Sequence, residues 1–199
     1  MAGGAPRVTG VLLAAGAGRR AGGPKALCRD PTGRSWLERS VSVLLDGGCN
    51  DAVVVLGSQS SQARTLLPGH PPRRDRLTVV EARDWAEGMS RSPMAGLAAV
   101  PAGSVAALVH LVDLPDVTGD VVTRVLAEAS RGPGVLARAC YAGRPGHPVL
   151  VGREHLPPLV VALEGGPPDA GARGYLSHHD VGAVECGDLA GGRDQDGVG

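Results

Sequence analysis

The chain of 199 residues contains no phenylalanine, and its aromatic content is 2%. Leu, Val and Ala must therefore fill the core, and the apolar content of 43% is enough for one domain of this size. Lysine is almost missing too, since Lys25 is the only one. Net charge is absent, because 20 basic residues offset 20 acidic ones. A neutral chain has no general electrostatic attraction for nucleic acid or an anionic membrane, so neither is expected as a partner. The four cysteines, Cys28, Cys49, Cys140 and Cys186, form no CxxC pair, which argues against a zinc site or a dithiol motif. Four reduced thiols in a cytoplasmic protein are the expectation. No apolar run approaches the length of a membrane span, and the first residues lack the form of a signal peptide.

What is abundant is glycine, at 31 residues, together with 16 prolines, which implies many tight loops. Between the loops, apolar strand patterns alternate with helical ones. Val8 to Ala14 reads as a first strand covered on both faces. "SWLERSVSVLLDGG" reads as a helix, with Ser35 and Glu38 spaced as a capping box, Leu37, Val41, Leu44 and Leu45 on one face and Gly47 as the stop. "DAVVVLG" and "RLTVVEA" are strands flanking the helical "SQSSQARTLL". "SVAALVHLVD" is the longest apolar run and reads as a central strand, and Thr118 is placed to cap the helix after it. "GVLARACY" and "HPVLVG" are strands joined by the turn "AGRPG". Helices are expected near Glu154 to Leu163 and Gly171 to His178, then a strand at "VGAVEC" and an irregular tail. The alternation predicts one α/β domain over residues 1–199, ordered over about 8–196: a three-layer, Rossmann-like fold with a mostly parallel, mixed sheet. Such sheets bind ligands outside the carboxyl ends of their strands.

That rule directs attention to "AAGAGRRAGGPK", directly behind the first strand. A dinucleotide fingerprint needs GxGxxG and an acidic residue after the second strand. Here the third glycine is displaced by one, and the second strand runs into Gly57 and Ser58. A P-loop needs GxxxxGK[ST], but Ala26 follows Lys25 and supplies no hydroxyl. A looser phosphate wrap remains, with glycines turning backbone N–H groups towards an anion beside Arg19, Arg20 and Lys25. A solvated surface loop is the bland alternative. Asp113 closes the central strand, where a carboxylate suits either Mg²⁺ beside phosphates or the cap of a turn stiffened by Pro115.

These residues carry a resemblance. "LLAAGAGRRAGGPKAL" resembles the LAAGxGxRxGxPK loop of the MobA-like nucleotidyltransferases, the group that includes molybdenum cofactor cytidylyltransferase. Leu13, Ala14, Ala15, Gly16, Gly18, Arg19, Gly22, Pro24 and Lys25 match, and Ala21 replaces the frequent Met. Asp113-Leu114-Pro115 resembles the family's metal-binding D-x-P. "GMSRSPMAGL" resembles GMSxSLRAGL, near the nucleotide base and sugar, with Pro93 and Met94 in place of Leu-Arg. "SPMAGL" is also similar to GPLAGL of the guanylyltransferase branch. "GRPGHPVLVG" resembles GxxGHPVLF, which faces the acceptor, and "DAGAR" resembles the end of GDxGAR. "RDQD" resembles D-[IV]-D, without the TPED that follows it in the family.

The resemblance implies a nucleotidyltransferase that moves a nucleoside monophosphate, CMP from CTP, onto a phosphorylated acceptor, molybdopterin, and releases pyrophosphate. Leu13, Ala14, Ala15, Gly16, Gly18, Arg19, Lys25, Ser90 and Ser92 would bind the nucleotide, with Arg19, Lys25 and Asp113 acting in transfer. Asp113 and Asp196 would hold Mg²⁺, and His147 would face the acceptor. A molybdoenzyme would receive the product. A guanylyltransferase, a sugar-phosphate or phospholactate nucleotidyltransferase, and a non-catalytic nucleotide-binding module are the alternatives.

Overall fold

The computed structural model describes residues 6–18, 22–67, 69, 73–168 and 170–195. Seven strands form one sheet: β1 (Val8–Ala14), β2 (Asp51–Leu56), β3 (Leu77–Glu81), β4 (Ala106–Leu111), β5 (Leu136–Tyr141), β6 (Arg144–Gly152) and β7 (Gly182–Glu185), in the order β3-β2-β1-β4-β6-β5-β7. β6 alone among them runs against its neighbours, antiparallel to both β4 and β5, so the sheet is mixed but mostly parallel. The helices are α1 (Trp36–Asp46), α2 (Ser60–Arg64), α3 (Arg91–Ala98), α4 (Gly119–Leu126), α5 (Leu156–Gly165) and α6 (Arg173–Ser177).

Residues of both periods fill two apolar layers. Alternate strand positions such as Val8, Leu12, Val54 and Leu108 pack with Leu37, Val41 and Leu44 of α1 and Val121, Val122 and Val125 of α4. The intervening positions, Val11, Val53, Val55 and Val109, pack with Leu97 of α3 and Leu156, Leu159 and Leu163 of α5. This is the expected three-layer arrangement, built without phenylalanine. Gly96 lets α3 approach closely, because a Cβ there would stand 2.6 Å from Val11 and 2.8 Å from Val55.

The local signals behave unevenly. β1 has the expected bounds, and the Ser35 hydroxyl accepts the Glu38 N–H at 3.4 Å as α1 begins. Thr118 makes no side-chain cap, although α4 starts directly after it. The helix expected over "SQSSQARTLL" spans only Ser60–Arg64. Gln59 before it is left-handed, and the Thr65 hydroxyl turns back onto the Gln62 carbonyl. The turn expected at "AGRPG" is tighter, because Ala142 and Gly143 both take positive φ and β6 already starts at Arg144. The Glu185 carboxylate accepts both turn amides, at 2.9 and 3.1 Å, which holds a non-glycine residue in that backbone region. No described helix is long and apolar enough to cross a membrane.

Candidate active site

β1, β2 and β4 run parallel, so the segments leaving them gather at one edge of the sheet. The first is the glycine loop. Gly18 has φ +56°, and a Cβ there would lie 1.8 Å from the Gly23 carbonyl oxygen. The Gly23 N–H donates to the Gly18 carbonyl at 3.2 Å, so the loop closes on itself where a side chain has no room. Ala15 is buried, and its carbonyl accepts the Ser58 N–H at 3.0 Å, which ties the loop to the segment after β2. Gly57 permits this approach, since a Cβ there would stand 2.6 Å from the Ala15 oxygen and 2.7 Å from Trp85.

The second segment carries Asp113. Lys25 Nζ donates to Asp113 Oδ2 at 2.7 Å, with the two side chains 19% and 17% exposed. The two residues singled out in widely separated loops thus meet. The Asp113 carbonyl accepts the Gln195 N–H at 3.0 Å, and Asp116 Oδ2 accepts the N–H groups of Gly191 (2.8 Å) and Gly192 (3.0 Å). The segment after β7 is therefore strapped across the loop that follows β4.

Asp113 stands at the junction of two cavities. One, of about 470 Å³, is lined by residues 13–18, Lys25, Trp85, Met89, Ser92 and Asp113. The other, of about 640 Å³, also reaches Leu13, Met89 and Asp113 and extends to Arg138, His147, Arg173 and Asp194. Leu13, Ala14, Ala15, Gly16, Gly18, Lys25 and Ser92 thus share the first lobe with Asp113, and His147 lies in the second. Ser90 is placed otherwise: it is buried and its hydroxyl donates to the Pro168 carbonyl at 3.2 Å, joining this segment to the turn beyond α5. Arg19 and Asp196 lie outside the described residues.

Trp85, Arg138 and Asp194 are site residues to which the sequence reading assigned no role, and Arg173 entered it only within "DAGAR". Trp85 carried a signal, as one of two tryptophans set just before "GMS". Arg138 carried none, being one arginine on an apolar strand.

Burial and nearby positive charge shape the second lobe. Desolvation, then Arg138, push His147 down to about 4, against a smaller upward pull from Asp113, so its imidazole is neutral near pH 7. Burial also lowers Arg138, Cys140 counters this, and Arg173 adds to the lowering. Arg138 donates to the Gly146 carbonyl at 3.2 Å. The Tyr141 hydroxyl donates to the His147 carbonyl at 2.6 Å and anchors that turn.

A glycine-rich loop on the first strand, a carboxylate on the fourth and a two-lobed cleft between them define a nucleotide-handling α/β protein. The chain belongs to the MobA-like NTP transferase domain family, whose pattern matches residues 10–183. It is 38% identical over 203 residues to nicotine blue oxidoreductase of Paenarthrobacter nicotinovorans, covering 97% of this chain and 94% of that protein. Among solved structures it is similar to the homolog, from Mycobacterium sp. strain JC1, of Mycobacterium tuberculosis Rv0371c (TM-score 0.79, 25% identity, 96% and 91% of the two chains). It also shares its fold with 4-diphosphocytidyl-2C-methyl-D-erythritol synthase of Anaerococcus prevotii (TM-score 0.74, 12% identity, 97% and 94% of the two chains).

Proposed function

We propose that this protein transfers a nucleoside monophosphate from an NTP, CTP in particular, to a phosphorylated small molecule, with release of pyrophosphate. The observation that carries the reading is the Lys25–Asp113 pair at the junction of the two lobes. The first lobe offers a triphosphate the backbone of residues 15–18 and a cation. The second offers an acceptor a separate chamber that opens on the same carboxylate. An acceptor phosphate is already anionic, so positioning and charge neutralisation suffice, and no protein nucleophile is required. Molybdopterin, the acceptor implied by the resemblance, is the first to assay.

The donor set suits Mg²⁺. No cluster of three or more His, Cys, Asp or Glu occurs among the described residues. Mg²⁺ needs none, since it keeps several waters and takes one or two carboxylates plus phosphate oxygens. Asp113 would hold it, with Asp196 as the second carboxylate, and the ion would neutralise charge on the transferring phosphate. Lys25 holds the Asp113 carboxylate in the meantime and would pass to the phosphates as the metal–nucleotide enters.

CTP is favoured by Ala15, buried among the residues that line the first lobe, where a methyl in place of glycine's hydrogen would leave less room for a purine. The name of the Anaerococcus neighbour, which contains a cytidyl group, agrees with a pyrimidine. The test is pyrophosphate release with each of the four NTPs, Mg²⁺ and molybdopterin. Release with CTP and not without acceptor is the expected result.

The name of the Paenarthrobacter relative favours a second reading, an oxidation–reduction of nicotine blue. Oxidation of a reduced nicotinamide dinucleotide in the presence of nicotine blue, followed by absorbance, separates the two. Dye-dependent oxidation without pyrophosphate release would establish the second.

A further inference from the structure

Asp116, in the loop after β4, is half-buried and unevenly satisfied. Its Oδ2 accepts the Gly191 and Gly192 N–H groups at 2.8 and 3.0 Å. Its Oδ1 is buried and has no hydrogen-bond partner among the described residues. A buried carboxylate oxygen left alone is costly, so a donor is expected close by. One stands on α1. Arg39 is half-buried, and its Nη2 is likewise buried and without a partner among the described residues. The hydroxyl of the adjacent Ser40 donates to the Val112 carbonyl at 3.5 Å, so this turn of α1 lies against the loop that carries Asp113 and Asp116. Burial lowers the Arg39 guanidinium, Asp30 counters this, Arg34 adds to it and Asp116 counters it again. Of these two carboxylates Asp30 is engaged elsewhere, because its Oδ1 accepts the Thr32 N–H, the Thr32 hydroxyl and the Arg34 N–H. Arg39 Nη2 and Asp116 Oδ1 thus face the same deficit with opposite polarity, and contact, direct or across one water, satisfies both.

We propose that Arg39 is a positioning residue for the second lobe: it steadies the Asp116 carboxylate, whose other oxygen seats residues 191–195 beside Asp113. Those residues bring Gly192 and Asp194 into the lining of the lobe, and the Gln195 N–H onto the Asp113 carbonyl at 3.0 Å. At its centre the segment has only backbone to hold it with. A Cβ on Gly192, which has φ +60°, would fall on the Tyr141 ring, and one on Gly191 would stand 3.1 Å from Asp116 Oδ2. Its hold therefore depends on how firmly the accepting carboxylate is fixed, and α1 supplies the charge that fixes it. The clamp is independent of the reaction, whereas its effect on turnover rests on the transferase reading.

Hydrogen exchange on the full chain, read by mass spectrometry, tests the clamp without any activity. Asp116→Ala should speed exchange of the Gly191 and Gly192 amides by about tenfold to a hundredfold, while peptides from β1 and α1 keep the parent's protection. Arg39→Met keeps the bulk of the stem and removes the charge, and should speed the same amides by about tenfold. Arg39→Lys, which keeps the charge, should recover most of that loss. The double variant Arg39→Met, Asp116→Ala should exchange no faster than Asp116→Ala alone, because Arg39 acts through Asp116. His110→Leu removes the other unpartnered polar side chain within reach of Arg39 and should leave these amides at the parent's rate. Parental exchange in Arg39→Met, no recovery with lysine, additive effects in the double variant, or equal loosening by His110→Leu overturns the proposal. With CTP, Mg²⁺ and molybdopterin, Arg39→Met should raise the acceptor KM by about tenfold and leave the KM for CTP near the parent's. An acceptor KM unmoved by a loosened segment overturns the positioning role. Loosening in Arg39→Met, in a protein that releases no pyrophosphate with any NTP or acceptor, upholds the clamp and overturns the transferase reading instead.

Discussion

His110 is the penultimate residue of β4, 1% exposed, and neither ring nitrogen has a hydrogen-bond partner among the described residues. It sits three residues before Asp113, on the central strand of the sheet. Burial, reinforced by His147 and Arg39, pushes its protonation from the usual 6.5 down to about 3. In the unfolded chain the imidazole titrates normally, so between these values the unfolded state binds the extra proton and stability falls as pH falls. Each pH unit below 6.5 costs about 1.4 kcal/mol, so at pH 5 this one side chain removes about 2 kcal/mol. His110→Leu is close in volume and removes two unpartnered polar atoms, so the variant should be at least as stable as the parent near neutrality. Urea denaturation of both proteins at pH 7.5 and pH 5 is the assay. The stability difference between the two should grow by about 2 kcal/mol in the variant's favour on acidification. His147, lowered to about 4, contributes an acid slope to both proteins and cancels in the comparison. Parallel pH dependences would refute the reasoning and mean that His110 is protonated, or solvated, in the native state.

Three further outcomes concern the site. Lys25→Ala should lose about 2 kcal/mol or more of transition-state stabilisation, about thirtyfold in kcat/KM, with the fold intact; parental turnover would exclude the lysine from transfer. Asp113→Asn should lower Mg²⁺-dependent turnover by about a hundredfold, while its backbone contact to Gln195 persists; an unfolded variant whose residual folded fraction stays active would make Asp113 a structural cap. The parent should prefer CTP to GTP by about 1–3 kcal/mol in kcat/KM, and Ala15→Gly should narrow that gap; a ratio unmoved by the substitution would leave the preference without this cause.

Much of this fold was legible because its signals are local. β1 is a continuous apolar run with the bounds the sequence suggested, and α1 has its cap, apolar face and stop in one stretch. α2 was overestimated because serine and threonine side chains compete for the backbone there, a balance that periodicity does not report. The first lobe was legible for the same reason as β1: residues 13–18 and 25, which line it together, are nearly contiguous in the sequence. The second lobe was not, apart from Asp113 and His147. Arg138 lies on β5, and it reaches the cavity only because β6 turns back between β4 and β5. Asp194 arrives through the Asp116 contacts to Gly191 and Gly192, across 75 residues of chain. No local pattern encodes such meetings.

The strap formed by residues 191–195 has a practical side. It lines part of the second lobe through Gly192 and Asp194 without joining the sheet, and hydrogen bonds to the Asp113 carbonyl and the Asp116 carboxylate hold it there. A protease that nicks the chain near Ala190 would cut no described strand or helix and would remove Gly192 and Asp194 from the lining of the second lobe. Such a sample would keep its circular dichroism while presenting a different second lobe and uncovering the Tyr141 ring on which Gly192 packs. Intact mass is therefore the quality check to place beside any activity measurement on this protein.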